Sequence, residues 1–160
     1  MNLAYILTGG NLGDREENLR LARVAIEQNC GRITCTSALY ETEAWGLKDQ
    51  GPFLNQALEL KTGQGAKDLL EILLSIELSL GRVRDVKYGP RIIDIDIIFF
   101  NHEVIELPGL VVPHPQMHLR RFALEALAEI APGYRHPVFN KPVSQLLAEC
   151  TDTLAVNKLG

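Results

Sequence analysis

The sequence predicts an α+β fold, an antiparallel sheet with two helices on one face and C-terminal additions, and three observations carry that expectation. Four short stretches, residues 3–8, 33–40, 53–61 and the run that ends at Phe100, are rich in β-branched and aromatic residues and are bounded by Gly, Pro, Asn or Asp. Two others, residues 14–29 and 66–80, place apolar side chains at helical spacing. Their chain order is β-α-β-β-α-β, the ferredoxin-like split β-α-β arrangement.

Each element has a local reason. The first strand, residues 3–8, ends at the turn Gly9-Gly10-Asn11-Leu12-Gly13, after which Asp14 and Glu17 have the spacing of a helix N-cap and its reciprocal partner. The helix runs to about Asn29 with Leu19, Ala22, Ala25 and Ile26 as its core stripe, and Gly31 is the expected C-terminal cap. The strands at 33–40 and 53–61 are joined by residues 41–52, a long connection that suits a binding loop or lid and equally a plain surface excursion. Leu69, Leu73, Ile76 and Leu80 define the second helix, which Gly81 stops. A second loop, residues 82–90, leads into the last strand of the core. Beyond it are a turn near Asn101-His102, a strand-like piece at Val104-Ile105, a rigid Pro113-His114-Pro115, a helix over 121–129, a short helix over 143–150 and a frayed end.

Composition narrows the function classes. The 160 residues are 46% hydrophobic and 22% charged, which suits one domain spanning 1–160, expected to act as a monomer. Twenty acids against 16 Lys and Arg give a net charge of -4, so nothing favours nucleic acid or an acidic membrane surface. Cys30, Cys35 and Cys150 form no Cys-x-x-Cys pair and read as buried thiols of a reducing compartment. No stretch reads as a signal peptide or membrane span, and a cytoplasmic location is expected.

The chemistry concentrates in Gly89-Pro90-Arg91 and the strand after it, where Asp94 and Asp96 alternate with Ile93, Ile95, Ile97 and Phe99. Side chains two apart on a strand share a face, so the two carboxylates point one way and the apolar residues the other. Such a pair suits Mg2+, which takes one or two carboxylates and completes its shell with phosphate oxygens and water. Arg82, Arg84, Lys87 and Arg91 just upstream suit phosphate recognition. An antiparallel strand with one solvated face gives the same alternation without any ligand, and the pattern alone leaves both readings open.

On the strand at 53–61, Phe53, Asn55 and Ala57 share one face while Leu54, Leu58 and Leu60 face the core. A ring beside an amide can stack on a flat heterocycle and read its edge, although a satisfied Asn beside a partly exposed Phe fits equally. Phe122, just after Arg120 and Arg121, is either a second aromatic face or helix core. His114, held between two prolines, suits a phosphate or nucleotide contact or a structural role, and His102, His118 and His136 have no metal-ligand spacing with it. The opening glycine turn lacks the endings of a P-loop or dinucleotide fingerprint and reads as a tight turn, with Asn11 a candidate polar contact.

Taken in order, Tyr40, Thr42, Gly46, Asp49-Gln50, Phe53-Leu54-Asn55, Gly81-Arg82, Gly89-Pro90-Arg91 with Asp94-x-Asp96, Val112-Pro113-His114 and Arg120-x-Phe122 resemble the 6-hydroxymethyl-7,8-dihydropterin pyrophosphokinases of folate biosynthesis, over residues 3–133. The resemblance implies that the pterin hydroxymethyl oxygen attacks the β-phosphorus of ATP and that AMP is released. It implies two Mg2+ ions on Asp94 and Asp96, with Asp94 also near the pterin. Arg82 and Arg91 would act in catalysis, and Glu77, Arg82, Arg84, Arg91, His114 and Arg120 would contact ATP. Phe53 and Phe122 would sandwich the pterin while Asn55 and the chain at Thr42, Glu43 and Ala44 read its edge. The loops 41–52 and 82–90 would close over the substrates. Where the family commonly has Ser, Pro and Trp, this chain has Gly10, Ala44 and Tyr88, and Leu74 stands where some members carry a polar nucleotide contact. Two rival readings fit the same residues: a nucleotidyltransferase using the same acidic pair, and a regulatory module that binds a small ligand without turnover.

Overall fold

A computed structural model of the protein describes residues 1–43, 51–81 and 92–159. It contains strands β1 (Asn2–Gly10), β2 (Gly31–Thr36), β3 (Leu39–Thr42), β4 (Phe53–Thr62), β5 (Asp94–Phe100), β6 (Ile105–Leu107), β7 (Leu110–Val112) and β8 (Val156–Leu159). The helices are α1 (Arg15–Asn29), α2 (Ala66–Ser79), α3 (Arg121–Ile130) and α4 (Val143–Glu149). The main sheet has the order β5-β1-β4-β3-β8, with β2 also on β4, and every pairing is antiparallel; β6 and β7 form a separate hairpin. The α+β class and the β-α-β-β-α-β core are therefore as expected.

The alternation of each strand divides the core in two. Ala4, Ile6, Leu54, Leu58, Leu60, Ile95 and Ile97 pack against Leu19, Ala22 and Ile26 of α1 and Leu69, Leu73 and Ile76 of α2. Tyr5, Leu7, Tyr40, Ala57 and Phe99 pack on the other side against Phe122, Ala123, Ala126 and Leu127 of α3 and Val143 and Leu146 of α4. Both faces of the sheet are thus covered, the second by the C-terminal helices. Asp14 caps α1 by accepting from the Glu17 N–H at 3.1 Å, while the Glu17 carboxylate pairs with Arg20. Gly81 follows α2 with φ 94°, a left-handed conformation that suits glycine.

Several expectations are corrected. The strand expected over 33–40 is two strands, because Ser37 interrupts it: its Oγ accepts from the Ala57 N–H at 2.9 Å, taking a place that a strand carbonyl would hold. Gly31 begins β2 instead of capping α1; a side chain there would collide with the Lys61 carbonyl. Phe99 lies on the same side as Tyr5, not with Ile95 and Ile97, because the β1–β5 register shifts between Tyr5 and Ile6 and a bulge inverts the alternation after Ile97. The end of the chain is not frayed; β8 pairs with β3 along Leu39–Thr42. Cys30 is buried, whereas Cys35 and Cys150 are partly exposed, and all three are free thiols. Among the described residues no helix is long and apolar enough to cross a membrane.

Candidate active site

The candidate site is built where one row of residues crosses four strands. Asp94 on β5 pairs with Gly9 on β1, Gly9 with Asn55 on β4, and Asn55 with Tyr40 on β3. Residues directly opposite one another in antiparallel strands share a face, here the one that α3 covers. The next row places Asp96 opposite Leu7. Gly9 is the floor between carboxylate and amide: a Cβ at this position would lie 2.2 Å from Asn55 Oδ1. Asn55 is 5% exposed, and its Nδ2 is buried with no acceptor among the described residues. Buried amide donors are ordinarily paired, so this one marks a place for a ligand acceptor.

Asp94 and Asp96 are both half-buried on β5, at the edge of the sheet. Glu77 of α2, 2% exposed, accepts the Ile95 N–H at 2.6 Å through its Oε2 and so fixes the backbone between the two acids. Among the described residues no group of three or more His, Cys, Asp or Glu could hold a metal by itself. Two neighbouring carboxylates nevertheless fit a hard divalent cation whose other ligands are phosphate and water.

His114 and Arg120 come from the segment that crosses behind β5. The His114 N–H donates to the Ile98 carbonyl at 3.0 Å, and its Nδ1 accepts from the Gln116 N–H at 3.2 Å. Burial first, then the Arg120 charge, push the His114 pKa down to about 4, while Asp94 acts in the opposite sense. The three residues therefore share one electrostatic neighbourhood. Arg120 also donates through Nη2 to Gln116 Oε1.

The aromatic pair lies on the same face. Phe53, half-buried, is paired with Thr42, and Phe122 of α3 is 8% exposed. Among the described residues no ring contact joins them. Thr42 is buried and its hydroxyl donates to the Ala155 carbonyl at 3.0 Å, while Glu43 is exposed. Ala44, Arg82, Arg84, Lys87 and Arg91, with most of both proposed closing loops, lie outside the described residues.

Some of what shapes the site is not legible in the sequence. Arg15 bridges Glu41 at 2.6 Å and donates to the Pro52 carbonyl at 3.1 Å, and Asn11 Nδ2 donates to the Gly51 carbonyl at 3.0 Å, so the two ends of the first loop are held by the first residue of α1 and by the turn before it. Gly9 was visible only as part of a glycine-rich turn; strand register gives it its role.

The family model described as 7,8-dihydro-6-hydroxymethylpterin-pyrophosphokinase matches residues 5–132. The chain is 48% identical over 130 residues to the Bacillus subtilis 2-amino-4-hydroxy-6-hydroxymethyldihydropteridine pyrophosphokinase, covering 81% of this chain and 78% of that protein. It is 40% identical over 147 residues to the Pseudomonas aeruginosa protein of the same name, covering 91% and 90%. In three dimensions it is similar to a Plasmodium falciparum HPPK-DHPS structure, with a TM-score of 0.74, 20% identity and 93% of this chain covered. That likeness shows the fold, and this chain spans 43% of the longer one. On the family match and the identity to these relatives, the chain belongs to the 7,8-dihydro-6-hydroxymethylpterin-pyrophosphokinase family.

Proposed function

We propose that this protein transfers pyrophosphate from ATP to the hydroxymethyl oxygen of 6-hydroxymethyl-7,8-dihydropterin, releasing AMP, as a step of folate synthesis. Family membership supports the reaction, and the observation that carries the site is the Asp94–Gly9–Asn55 row, which sets a carboxylate and an orphaned buried amide on either side of a bare backbone floor. Strands from both ends of the chain share one sheet, which supports a single domain.

The pterin ring lies between Phe53 and Phe122, with the Asn55 amide and the backbone near Thr42, Glu43 and Ala44 pairing with its edge. Stacking gives orientation without demanding charge, and the free Asn55 Nδ2 selects a ring with an acceptor at its rim. Asp94 and Asp96 would hold the two Mg2+ ions, which when bound would neutralise charge on the phosphate oxygens. His114 and Arg120, from the segment after β7, contact the ATP. Arg82, Arg84 and Arg91 contact the phosphates, as the family resemblance of the Gly81-Arg82 and Gly89-Pro90-Arg91 segments implies. Glu77 stands beside the nucleotide and keeps β5 in place through Ile95.

The hydroxymethyl oxygen forms a bond to the β-phosphorus, and the bond from that phosphorus to the oxygen bridging it to the α-phosphate breaks. The bridging oxygen leaves with AMP, and the hydroxyl proton passes to water. A positioned pair of substrates can contribute up to roughly 7 to 11 kcal/mol to such a step, and fixed guanidinium groups answer the charge that builds on the phosphates.

Protein incubated with Mg2+, ATP and the dihydropterin is expected to form AMP and the pterin pyrophosphate in equal amounts. Asp96→Ala is expected to lower kcat by about 10³-fold, several kcal/mol of transition-state stabilisation, without changing the urea midpoint. Release of pyrophosphate in place of AMP would assign the protein to nucleotidyl transfer. An Asp96→Ala enzyme as fast as the parent would remove the metal assignment.

A further inference from the structure

We infer that Asp152 is a positioning residue for the pterin site: through it the C-terminal segment ties the start of α3, which carries Phe122, to β3 beside Phe53. The inference rests on the reading of Phe53 and Phe122 as the two faces of the pterin site. Asp152 lies beyond residue 132, where the family match ends.

The first turn of α3 has backbone N–H groups with no partner inside the helix, and no side chain of the preceding Arg120 caps them. Asp152, 31 residues further along the chain, supplies the cap: its Oδ2 accepts from the Arg121 N–H at 3.0 Å. A carboxylate is favoured there both as an acceptor and against the positive end of the helix dipole. Arg121 answers from the helix side, donating through Nε to the Asp152 carbonyl at 3.0 Å and through Nη2 to the Cys150 carbonyl at 2.9 Å. The segment is thus bolted to α3 by three hydrogen bonds, adjacent to Phe122.

Asp152 then turns the chain toward the sheet. Its Oδ1 accepts from the Leu154 N–H at 3.1 Å, the Ala155 carbonyl accepts the Thr42 hydroxyl at 3.0 Å, and Val156–Leu159 pair with β3. Thr42 is in turn the direct partner of Phe53. The far end of α3 is fastened to β3 separately: Glu129 accepts from the Tyr40 hydroxyl and from the Ala38 N–H at 3.1 and 3.2 Å, and faces Lys158 at 3.6 Å. With Glu129 fixing one end, the Asp152 junction fixes the other, and together they set how far Phe122 stands from Phe53. Without Asp152 the start of α3 is free to pivot about Glu129, and a ring gap suited to a flat heterocycle is no longer held.

The test measures binding of the dihydropterin to the ATP-free protein, with KM and kcat alongside, in the parent, in Asp152→Ala and Asp152→Asn, and in a chain ending at Asp152. Asp152→Ala is expected to raise the pterin Kd and KM at least tenfold with kcat changed less than threefold. Asn keeps an oxygen for the Arg121 N–H and is expected to recover most of that loss. The shortened chain, which keeps the cap and loses β8, is expected to fall between them. A folded Asp152→Ala with parental Kd overturns the inference, as does a lower urea midpoint with no change in Kd, the mark of a purely structural contact. If Asp152→Ala does not fold, parental pterin affinity in the shortened chain, which has lost β8, overturns it instead. Phe53→Ala, measured in parallel, separates the two readings: if it binds the pterin like the parent, the site assignment fails, whereas its loss beside a parental Asp152→Ala removes only the role of Asp152.

Discussion

The two faces of the sheet are built from different materials. The face toward α1 and α2 is closed by aliphatic side chains, with Leu19, Ile26, Leu58, Leu69 and Leu73 at most 1% exposed. The face toward α3 and α4 sets Tyr5, Tyr40, Phe99 and Phe122 among its aliphatic residues, and its tyrosines carry polar ends that reach distant partners. The Tyr5 hydroxyl donates to Glu59 at 2.7 Å, Tyr40 to Glu129, and Tyr134 to the Asn101 carbonyl. Aliphatic packing is non-directional and stabilises wherever volumes match, whereas hydroxyls and amides fix particular geometries. The proposed site lies on the second face, where the roles proposed for Asp94, Asn55 and Phe122 need fixed positions, and the first face holds the sheet on which they stand.

Removing material from the first face is expected to give the largest effect. Leu73→Ala leaves a cavity beneath fully buried neighbours and is expected to cost about 2 to 5 kcal/mol of stability, read as a lower urea midpoint. The folded fraction is expected to bind the dihydropterin with parental affinity. An equal loss of affinity would mean that the two faces are not separable.

The faces also differ in how far they could be read in advance. Leu19, Ala22 and Ile26, or Leu69 and Leu73, reveal a buried helix face because the period of 3.6 is a local property of the chain. The acidic strand was legible for the same reason as far as Ile97, and the reading of Phe99 failed where a bulge, set by pairing with β1, reversed the faces. That Asp94, Gly9, Asn55 and Tyr40 share a row depends on the registers of three strand pairs, none of which is encoded within a single segment. The tail failed for another reason. Four residues of β8 carry no decisive pattern, and they become a strand because β3 offers an edge and Asp152 has a helix end to cap. The residue types of the site were therefore visible, while the contacts that space them were not.

A smaller effect is expected on the second face. Gly9→Ala puts a methyl group 2.2 Å from Asn55 Oδ1, and the amide must yield because the β1–β4 backbone pairing holds both strands in place. The expected result is a pterin affinity at least tenfold weaker, about 1.4 kcal/mol, with the urea midpoint little altered. Binding of an ATP analogue in the absence of pterin is expected to persist. Parental pterin affinity would mean that the Asn55 amide has no part in recognition.

The smallest effect tests whether the aromatic face also depends on protonation. His136 is buried, stacks on Phe139 at 4.3 Å and meets Phe99 edge-on at 5.7 Å. Its Nδ1 accepts from the Val138 and Phe139 N–H groups, both at 3.1 Å, so that nitrogen must stay unprotonated. Burial, assisted by the nearby His118, pushes its pKa down to about 4 from 6.5. Between these values the unfolded chain takes up a proton that the folded chain refuses, so this contribution is complete above pH 6.5 and is lost as pH falls toward 4. Asn can offer its Oδ1 to the same two donors without titrating. His136→Asn is therefore expected to flatten the stability profile by on the order of 1 kcal/mol over that window, the roughly 3 kcal/mol of the full shift being reduced as the turn relaxes around the protonated ring, measured by urea unfolding at pH 7, 5.5 and 4. His114, whose pKa is also held near 4, remains in both proteins and cancels in the comparison. Parallel profiles for parent and variant would show that the backbone turn at Val138 and Phe139 survives protonation of the ring, and that the face is held by its packing alone.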